Sequence, residues 1–516
     1  MKSLAAKLSA LAIALAFTAQ PVLSADAPKG VLRVGLHADT TIPDPHKTRN
    51  QTSHMAMRHV VETLVTFNDK YEIIPQLAEK WTINAAGDVY TIELRRGVPF
   101  HDGSELTAED VRYSLLRLKD VSPNKADYAD IKAIAVKDKY TLEITLSAPS
   151  PVFLSQLAGP FGGYIIPANL AEKQGGDISR PIGTGPFRWD EWRSDQYLRL
   201  RWFDKYASDM RFPGPTGLGG QRKAEVEEIL FRILPDRASR VTSLETGQID
   251  FASRIDVSDF ERLAKASGIT TVEVPTLEWA VLWFGWKLAP TNDLRFRQAI
   301  ASALNYDEIT QFATGGYGVT NPAFMHPEQK AWYTERTGRR HAFDQARSRN
   351  LLREAGYRGE PIELWTSTDV EYMSNAGLAI QQQLKAVGIN VQIKNYDMSG
   401  LVAAVYATEP AYRMGMMTSS GRYDPDQHYN RRLHSARSVN KYASAEYDAL
   451  VDRARIVMDP KERLELYDRA QEIFMRDIPA VMLFNPSFFE AHRSNVKGFR
   501  PTATGLLQLW NIRVER

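Results

Sequence analysis

The chain has 516 residues, 43% apolar and 24% charged, with a formal net charge of +2 and no cysteine. That length accommodates two or three domains of ordinary size and more than one core. The absence of thiols excludes thiolate nucleophiles, disulfides, iron–sulfur clusters and thiolate zinc sites, and the near-neutral charge gives no general attraction to nucleic acid or anionic lipid.

Lys2 and Lys7 flank the start of an apolar run over residues 8–17, and Ser24 and Ala25 stand before Asp26, the pattern of a secretory signal peptide. The run is too short to span a membrane, which takes about twenty apolar residues. Cleavage after Ala25 removes two lysines and no acid, so the net charge falls from +2 to 0. The expected product is exported, soluble and free of a lipid anchor.

Residues 31–36, VLRVGL, read as a strand, and the polar, proline-punctuated loop after it carries His37, Asp39, Thr40 and Thr41. Tyr90, Ile92 and Leu94 alternate with polar residues, the two-residue period of a half-buried strand. HDG at 101–103 makes a turn. Thr107 and Asp110 fit a capping box, with Val111, Leu115 and Leu118 on one helical face. Tyr140, Leu142, Ile144 and Leu146 mark a second alternating strand. Ser122–Lys125 match the S-x-x-K of serine acyl-transferases, but in a proline-interrupted loop and without the companion K-T-G. Residues 207–223 are rich in glycine and proline; Gly220 and Gln221 stand where a phosphate loop needs Lys and Ser or Thr, so a surface loop is expected. There is no G-x-S-x-G elbow and no H-E-x-x-H helix, and neither a catalytic residue nor a cofactor is expected.

In EWAVLWFGW, residues 278–286, Trp279, Val281 and Trp283 face one side of a strand and Ala280, Leu282, Phe284 and Trp286 the other. A strand apolar on both faces is usually core. Because each buried indole N–H needs an acceptor, tryptophans lining a ligand cleft are the alternative. Beyond residue 293, helices and strands alternate. Phe296, Ile300 and Leu304 form a helical face, and Asp344 caps a helix ending at Gly356. A strand over 361–366, a helix over 374–387 with Leu378, Leu384 and Val387 inward, Gly388 as terminator and a strand over 389–393 give a parallel crossover unit. Residues 418–430, TSSGRYDPDQHYN, place Asp424, Asp426 and His428 at every second position, as metal ligands on an extended chain would be. Pro425 disrupts that geometry, and an Asp-Pro turn is the commoner reason for such residues, so no metal site is expected. Asp459, Pro460 and Glu462 supply the cap, first-turn proline and capping acid of a helix reaching about Met475.

LAEKW, YTIELRRGVPFHDGSELTAEDVRYSLLRL (90–118), PIGTGPF (181–187), LRFRQAIASALNYDEI (294–309) and LLREAGY occur in that order along the chain. In them the chain resembles the family-5 extracellular solute-binding proteins of ABC importers, which include dipeptide, oligopeptide and nickel binders. The resemblance implies an α/β, two-lobed periplasmic-binding-protein fold with a hinge and an extra N-terminal subdomain. Lobe I would comprise residues 26–68, 181–282 and 492–516, the subdomain 69–180, and lobe II 283–491. It also implies a periplasmic monomer that hands a small-molecule solute to ABC permease subunits, with no nucleic-acid partner.

In open α/β sheets, ligands bind beyond the carboxyl ends of strands. That rule selects His37, Asp39 and Thr41 after one strand and Asp369, Glu371 and Tyr372 after another, with Trp279 and Trp283 as walls. In similar dipeptide binders an aspartate shortly before D-P-D holds the peptide ammonium, and an arginine in the loop that here reads STDVEYMS holds the carboxylate. In this chain the first position is Gly421 followed by Arg422, and the second aligns with Asp369, so the anchors look reversed in sign. Arg422, Tyr423 and Asp424 complete the expected site. The expected solute is a small peptide-like or zwitterionic to anionic metabolite, such as an opine, a modified amino acid or an unusual peptide. Chelated nickel and an oligosaccharide are the alternatives within the family, and a secreted hydrolase the alternative outside it.

Overall fold

The computed structural model describes residues 28–159, 162–407, 409 and 411–515; the signal peptide expected over residues 1–25 lies outside them. Val31–Leu36 buries Leu32, Val34 and Leu36 and pairs in parallel with Glu228–Ile233 on one side and Phe251–Ala252 on the other. These strands are the centre of a mixed seven-stranded sheet. Its order is Phe187–Arg193, Tyr197–Trp202, Glu228–Ile233, Val31–Leu36, Phe251–Ala252, Ser487–Arg493 and Ile269–Pro275. A six-stranded sheet runs Val319–Thr320, Ala480–Asn485, Trp279–Phe284, Met414–Ser419, Ile362–Ser367 and Val391–Tyr396. The two sheets are the backbones of two α/β lobes.

The chain crosses between the lobes twice, through very short links. Ile269–Pro275 leaves the first sheet and Trp279–Phe284 enters the second after three residues; Ala480–Asn485 returns to Ser487–Arg493 across Pro486 alone. Proline has no N–H to continue a ladder, and Thr276 Oγ1 donates to Pro486 O at 2.7 Å, tying the two crossings together. The expected changes of lobe at 282/283 and 491/492 therefore differ from the sheet membership, which changes at 276–278 and at 486. The difference has a physical cause: both strands of each pair are continuous in character, and nothing in their alternation marks a change of sheet.

A four-stranded antiparallel sheet lies within residues 69–180, in the order Ala78–Ile83, Val89–Leu94, Thr141–Leu146, Ile131–Asp138. Helix Ala108–Val121 packs on it through Val111, Leu115 and Leu118. The capping box forms, Thr107 N and Oγ1 donating to Asp110 Oδ2 at 2.8 and 2.7 Å. In the second lobe the crossover unit is present, with Ile362–Ser367 parallel to Val391–Tyr396 and helix Glu371–Ala386 between them. That helix buries Gly377, Ile380 and Leu384, whereas Leu378, expected inward, is 45% exposed. The loop at 207–223 folds against its neighbours: a Cβ on Gly217, whose φ is +49°, would stand 2.3 Å from Phe67 O.

Candidate ligand site between the lobes

Strand ends from both sheets open onto one cavity of about 790 Å³. His37 follows Val31–Leu36, Arg254 follows Phe251–Ala252, and Asp369, Glu371 and Tyr372 follow Ile362–Ser367; Pro486–Phe489 of the second crossing close one side. Arg240 holds the first-lobe wall, donating to the carbonyls of Leu234, Pro235, Ser253 and Arg254 at 2.6–3.1 Å. Burial, then the guanidiniums of Arg254, Arg240 and Arg237, push His37 down to about 3, so it faces the cavity neutral. Its Nδ1 is buried without a hydrogen-bond partner among the described residues. Arg254 lies over the Phe488 ring at 3.2 Å and donates to Gln51 Oε1 at 3.2 Å. On the second-lobe wall, Tyr372 Oη hydrogen-bonds to Glu278 and lies 2.9 Å from Thr418 Oγ1; burial and the Glu278 charge raise its pKa well above the usual phenol value. Arg237 spans the two walls, donating to Asp256 Oδ1 at 2.7 Å and to Asp369 O at 3.2 Å.

Asp369 itself is exposed, and its Oδ2 accepts the Met398 N–H at 2.7 Å at the start of helix Met398–Val405. It reaches the cavity rim with its carboxylate partly engaged. Glu371 also lies at the rim; burial and nearby Asp256 raise its pKa.

Beyond the Glu278–Tyr372–Thr418 contacts lies the segment 418–430, and its side chains separate into distinct tasks. Gly421 abuts the first crossing so closely that a Cβ would stand 2.1 Å from Leu277 Cβ, so no anchoring side chain fits at 421. Tyr423 is buried against Phe67 and Tyr71 of the other lobe, at ring distances of 4.2 and 5.5 Å. Asp424 pairs with buried Arg463 at 3.0 Å, and Asp426 lies 3.4 Å from Arg455 Nε. His428 is sandwiched in aromatic surroundings, stacked on Phe324 and edge-on to Trp279, each at 5.7 Å. The Asp426 N–H donates to Asp424 Oδ1 at 2.9 Å, while each carboxylate faces its own arginine and His428 its aromatic neighbours.

Arg422 sits where this segment meets two further arginines on helix Asp426–Leu433 and Arg49 of the first lobe. Arg431 Nη2 donates to Asn124 Oδ1 at 2.9 Å and lies 3.5 Å from Asp127. Arg432 donates to Tyr406 Oη at 3.1 Å and to Ser419 Oγ at 2.8 Å, over the Trp279 ring. Arg49 donates to Pro123 O. Burial, then Arg431 and Arg432, push Arg422 down to about 9, with Asp127 opposing.

Of the expected site residues, the cavity gathers His37, Asp369, Glu371 and Tyr372, and Arg422 joins the arginine group. The others lie outside that cavity. Asp39 accepts from Trp192 Nε1 at 3.1 Å and Asp195 N at 2.7 Å and does not line the cavity. Thr41 is exposed outside it, its N–H donating to Ser53 Oγ. Trp279 and Trp283 are wholly buried in the second-lobe core, as the commoner reading of an apolar strand had it. Tyr423 and Asp424 are used in packing and in an ion pair. Sequence reasoning missed Arg237, Arg240, Arg254, Glu278 and Arg49, which carry no local motif. Arg431 and Arg432 were legible only as an adjacent basic pair directly after the segment singled out.

A family model described as bacterial extracellular solute-binding proteins, family 5 Middle, matches residues 72–440. The chain is 28% identical over 521 residues to the glutathione-binding protein GsiB of Salmonella paratyphi A, covering 95% of each chain. Among solved structures it is similar to the periplasmic binding protein DppA from Helicobacter pylori in complex with the peptide STSA. There the TM-score is 0.78 and the identity 26%, over 95% of this chain and 99% of that one. It is also similar to AgaA from A. tumefacien R10 in complex with agropinic acid, with a TM-score of 0.78 and 25% identity over 94% and 99% of the two chains.

Proposed function

The chain belongs to the family-5 bacterial extracellular solute-binding proteins, and we propose that it encloses a small peptide-like or zwitterionic to anionic metabolite between its lobes. Delivery to the permease of an ABC importer, from a periplasmic and monomeric carrier, is part of the same reading. One observation carries it: the 790 Å³ cavity is walled by strand ends of both sheets and by the crossing residues, so a hinge motion about residues 276–278 and 486 would open and shut it. Its size lies within the roughly 300–1,000 Å³ of small-molecule sites. The wall chemistry is mixed, with arginines from the first lobe facing carboxylates and a phenol from the second, as suits a solute bearing charge. The relatives named for glutathione, a peptide and agropinic acid are consistent with such a solute.

Native mass spectrometry of the protein purified without refolding tests the reading. A co-purified small molecule is expected, and adding it back at a hundredfold above its Kd stabilises the protein by roughly 2.7 kcal/mol. The solute should be recovered chemically unchanged after long incubation. Its steady conversion into a product would replace a binding protein with an enzyme.

A further inference from the structure

The three guanidiniums on the first-lobe wall of the cavity are not equally occupied. Arg240 donates to four backbone carbonyls, and Arg237 pairs with Asp256 at 2.7 Å. Arg254 has no ion pair among the described residues, and its one side-chain hydrogen bond there runs from Nη2 to Gln51 Oε1. Its Nε is buried without an acceptor, and its Nη1 donates to nothing among the described residues. Two acids lie near it. Burial raises Glu490 to about 8, so that it keeps its proton at neutral pH while accepting the Arg254 N–H at 3.1 Å. Glu278 already accepts from Thr418 Oγ1 at 2.8 Å and from Tyr372 Oη. The backbone at Arg254 is left-handed, with φ +55°, a conformation that costs a residue other than glycine energy and is concentrated at ligand clamps. It sets the guanidinium over the Phe488 ring at 3.2 Å. Gly505 leaves room for this stack: a Cβ there would stand 2.6 Å from Phe488 Cε2 and 3.3 Å from Arg254 Nη2.

The same cavity has an apolar wall. Phe312, on helix Tyr306–Thr314, lines it while 57% exposed. Gly315 follows three positions later and so lies on the same side of the helix; a Cβ on it would stand 3.0 Å from Val257 Cγ1 of the first lobe. Phe312 and Val257 therefore flank one stretch of the cavity. A phenylalanine can bury roughly 150–250 Å² of surface, and here much of that surface faces water. The acids that share the cavity are engaged: Asp256 with Arg237, Asp369 with the Met398 N–H, and Glu261 with Tyr317 Oη at 3.5 Å. Buried cationic groups are stabilised chiefly by a partner of opposite charge, and buried donors normally find acceptors. Arg254 has neither, and Phe312 has no apolar cover.

We propose that the solute is an amphipathic carboxylate whose anionic end pairs with Arg254 and whose apolar end covers Phe312 and Val257. This rests on the solute-binding reading and names the class of solute. Arg254 belongs to the first lobe and Phe312 to the second, so a molecule that touches both holds the lobes together. Either end alone would engage one lobe and leave the other unheld.

Isothermal titration of the full mature chain tests it, with N-acetyl-phenylalanine, the corresponding carboxamide and N-acetylglycine as probes. N-acetyl-phenylalanine is expected to bind at least about tenfold more tightly than either of the others, and more weakly as salt rises. Arg254→Gln should bind the acid and the amide alike, whereas loss of a merely structural arginine would weaken all three probes together. Phe312→Ser should lose the preference for phenylalanine over glycine and keep that for acid over amide. Because Phe312 is exposed, this second variant should melt as the wild type does. An amide that binds as tightly as its acid, an N-acetylglycine that matches N-acetyl-phenylalanine, or no binding of N-acetyl-phenylalanine up to roughly 10 mM would each overturn the inference, as would unchanged selectivity in either variant. So would a solute without a carboxylate found bound by native mass spectrometry, an outcome that leaves the binding-protein reading standing.

Discussion

At the scale of single residues, charge pairing decides which polar groups are free to meet a ligand. Asp424 sits in a polar stretch of the chain and looks like a ligand group, yet it and Arg463 expose only 7% and 5% of their side chains and satisfy each other. Arg463 also donates to Ala454 O at 3.0 Å and lies over the Trp332 ring. Removing the acid alone would strand a buried guanidinium, so Asp424→Ala should cost about 3–5 kcal/mol in urea unfolding, while replacing both partners by apolar residues should cost far less. A loss below about 1 kcal/mol for the single variant would show that the pair does little for stability. Asp424 and Arg422 stand two positions apart in one polar segment, and only the position of Arg463, distant in sequence, separates a structural acid from a candidate ligand group. The two tryptophans were legible in the opposite sense: a strand apolar on both faces is core, and Trp279 and Trp283 are core.

At the scale of elements, local chemistry predicted what local chemistry controls. The caps at Thr107, Asp344 and Asp459 all form, and the helices they start begin where expected. Leu378 is 45% exposed because the face of helix Glu371–Ala386 that meets the sheet carries Met373, Ala376, Gly377, Ile380 and Leu384, and position 378 stands off that face. The turn between Met414–Ser419 and Asp426–Leu433 was legible as a turn but not as a contact. Gly421 is packed on Leu277 of the first crossing, with its would-be Cβ 2.5 Å from Leu277 C and O. Gly421→Ala must therefore push the crossing segment aside, a kind of overpacking that costs roughly 1–3 kcal/mol. Because that segment connects the lobes, solute affinity should fall as well. Wild-type melting and affinity in the variant would mean the crossing yields freely, and that Gly421 does not set its position.

At the scale of the whole molecule, the lobes are assembled from strands hundreds of residues apart, which is why the exact crossings and the arginines of the cavity wall were not legible, while the α/β class and two-lobed plan were. The same long-range burial governs the histidines. Of the ten, nine are held below their ordinary pKa, chiefly by burial. His46, His54, His59 and His428 expose 1% or less. As pH falls below about 6.5 the unfolded chain protonates these four while the folded one does not, so the unfolded state binds more protons and stability drops. One pH unit below that value, each contributes roughly 1.4 kcal/mol of loss, and together they reach the low end of the roughly 5–15 kcal/mol available to a folded protein. Glu490 and Asp426, raised by burial to about 8 and about 6, act in the opposite direction over the same range and soften the fall. The melting temperature should accordingly drop steeply between pH 7 and pH 5. His428 isolates the effect, because its two ring nitrogens have no hydrogen-bond partner among the described residues and its ring already stacks on Phe324. His428→Phe should melt near wild type at pH 8 and above it at pH 5, and a wild-type melting temperature that stays flat across this range, or an identical slope in the variant, would remove burial of neutral histidines as the cause.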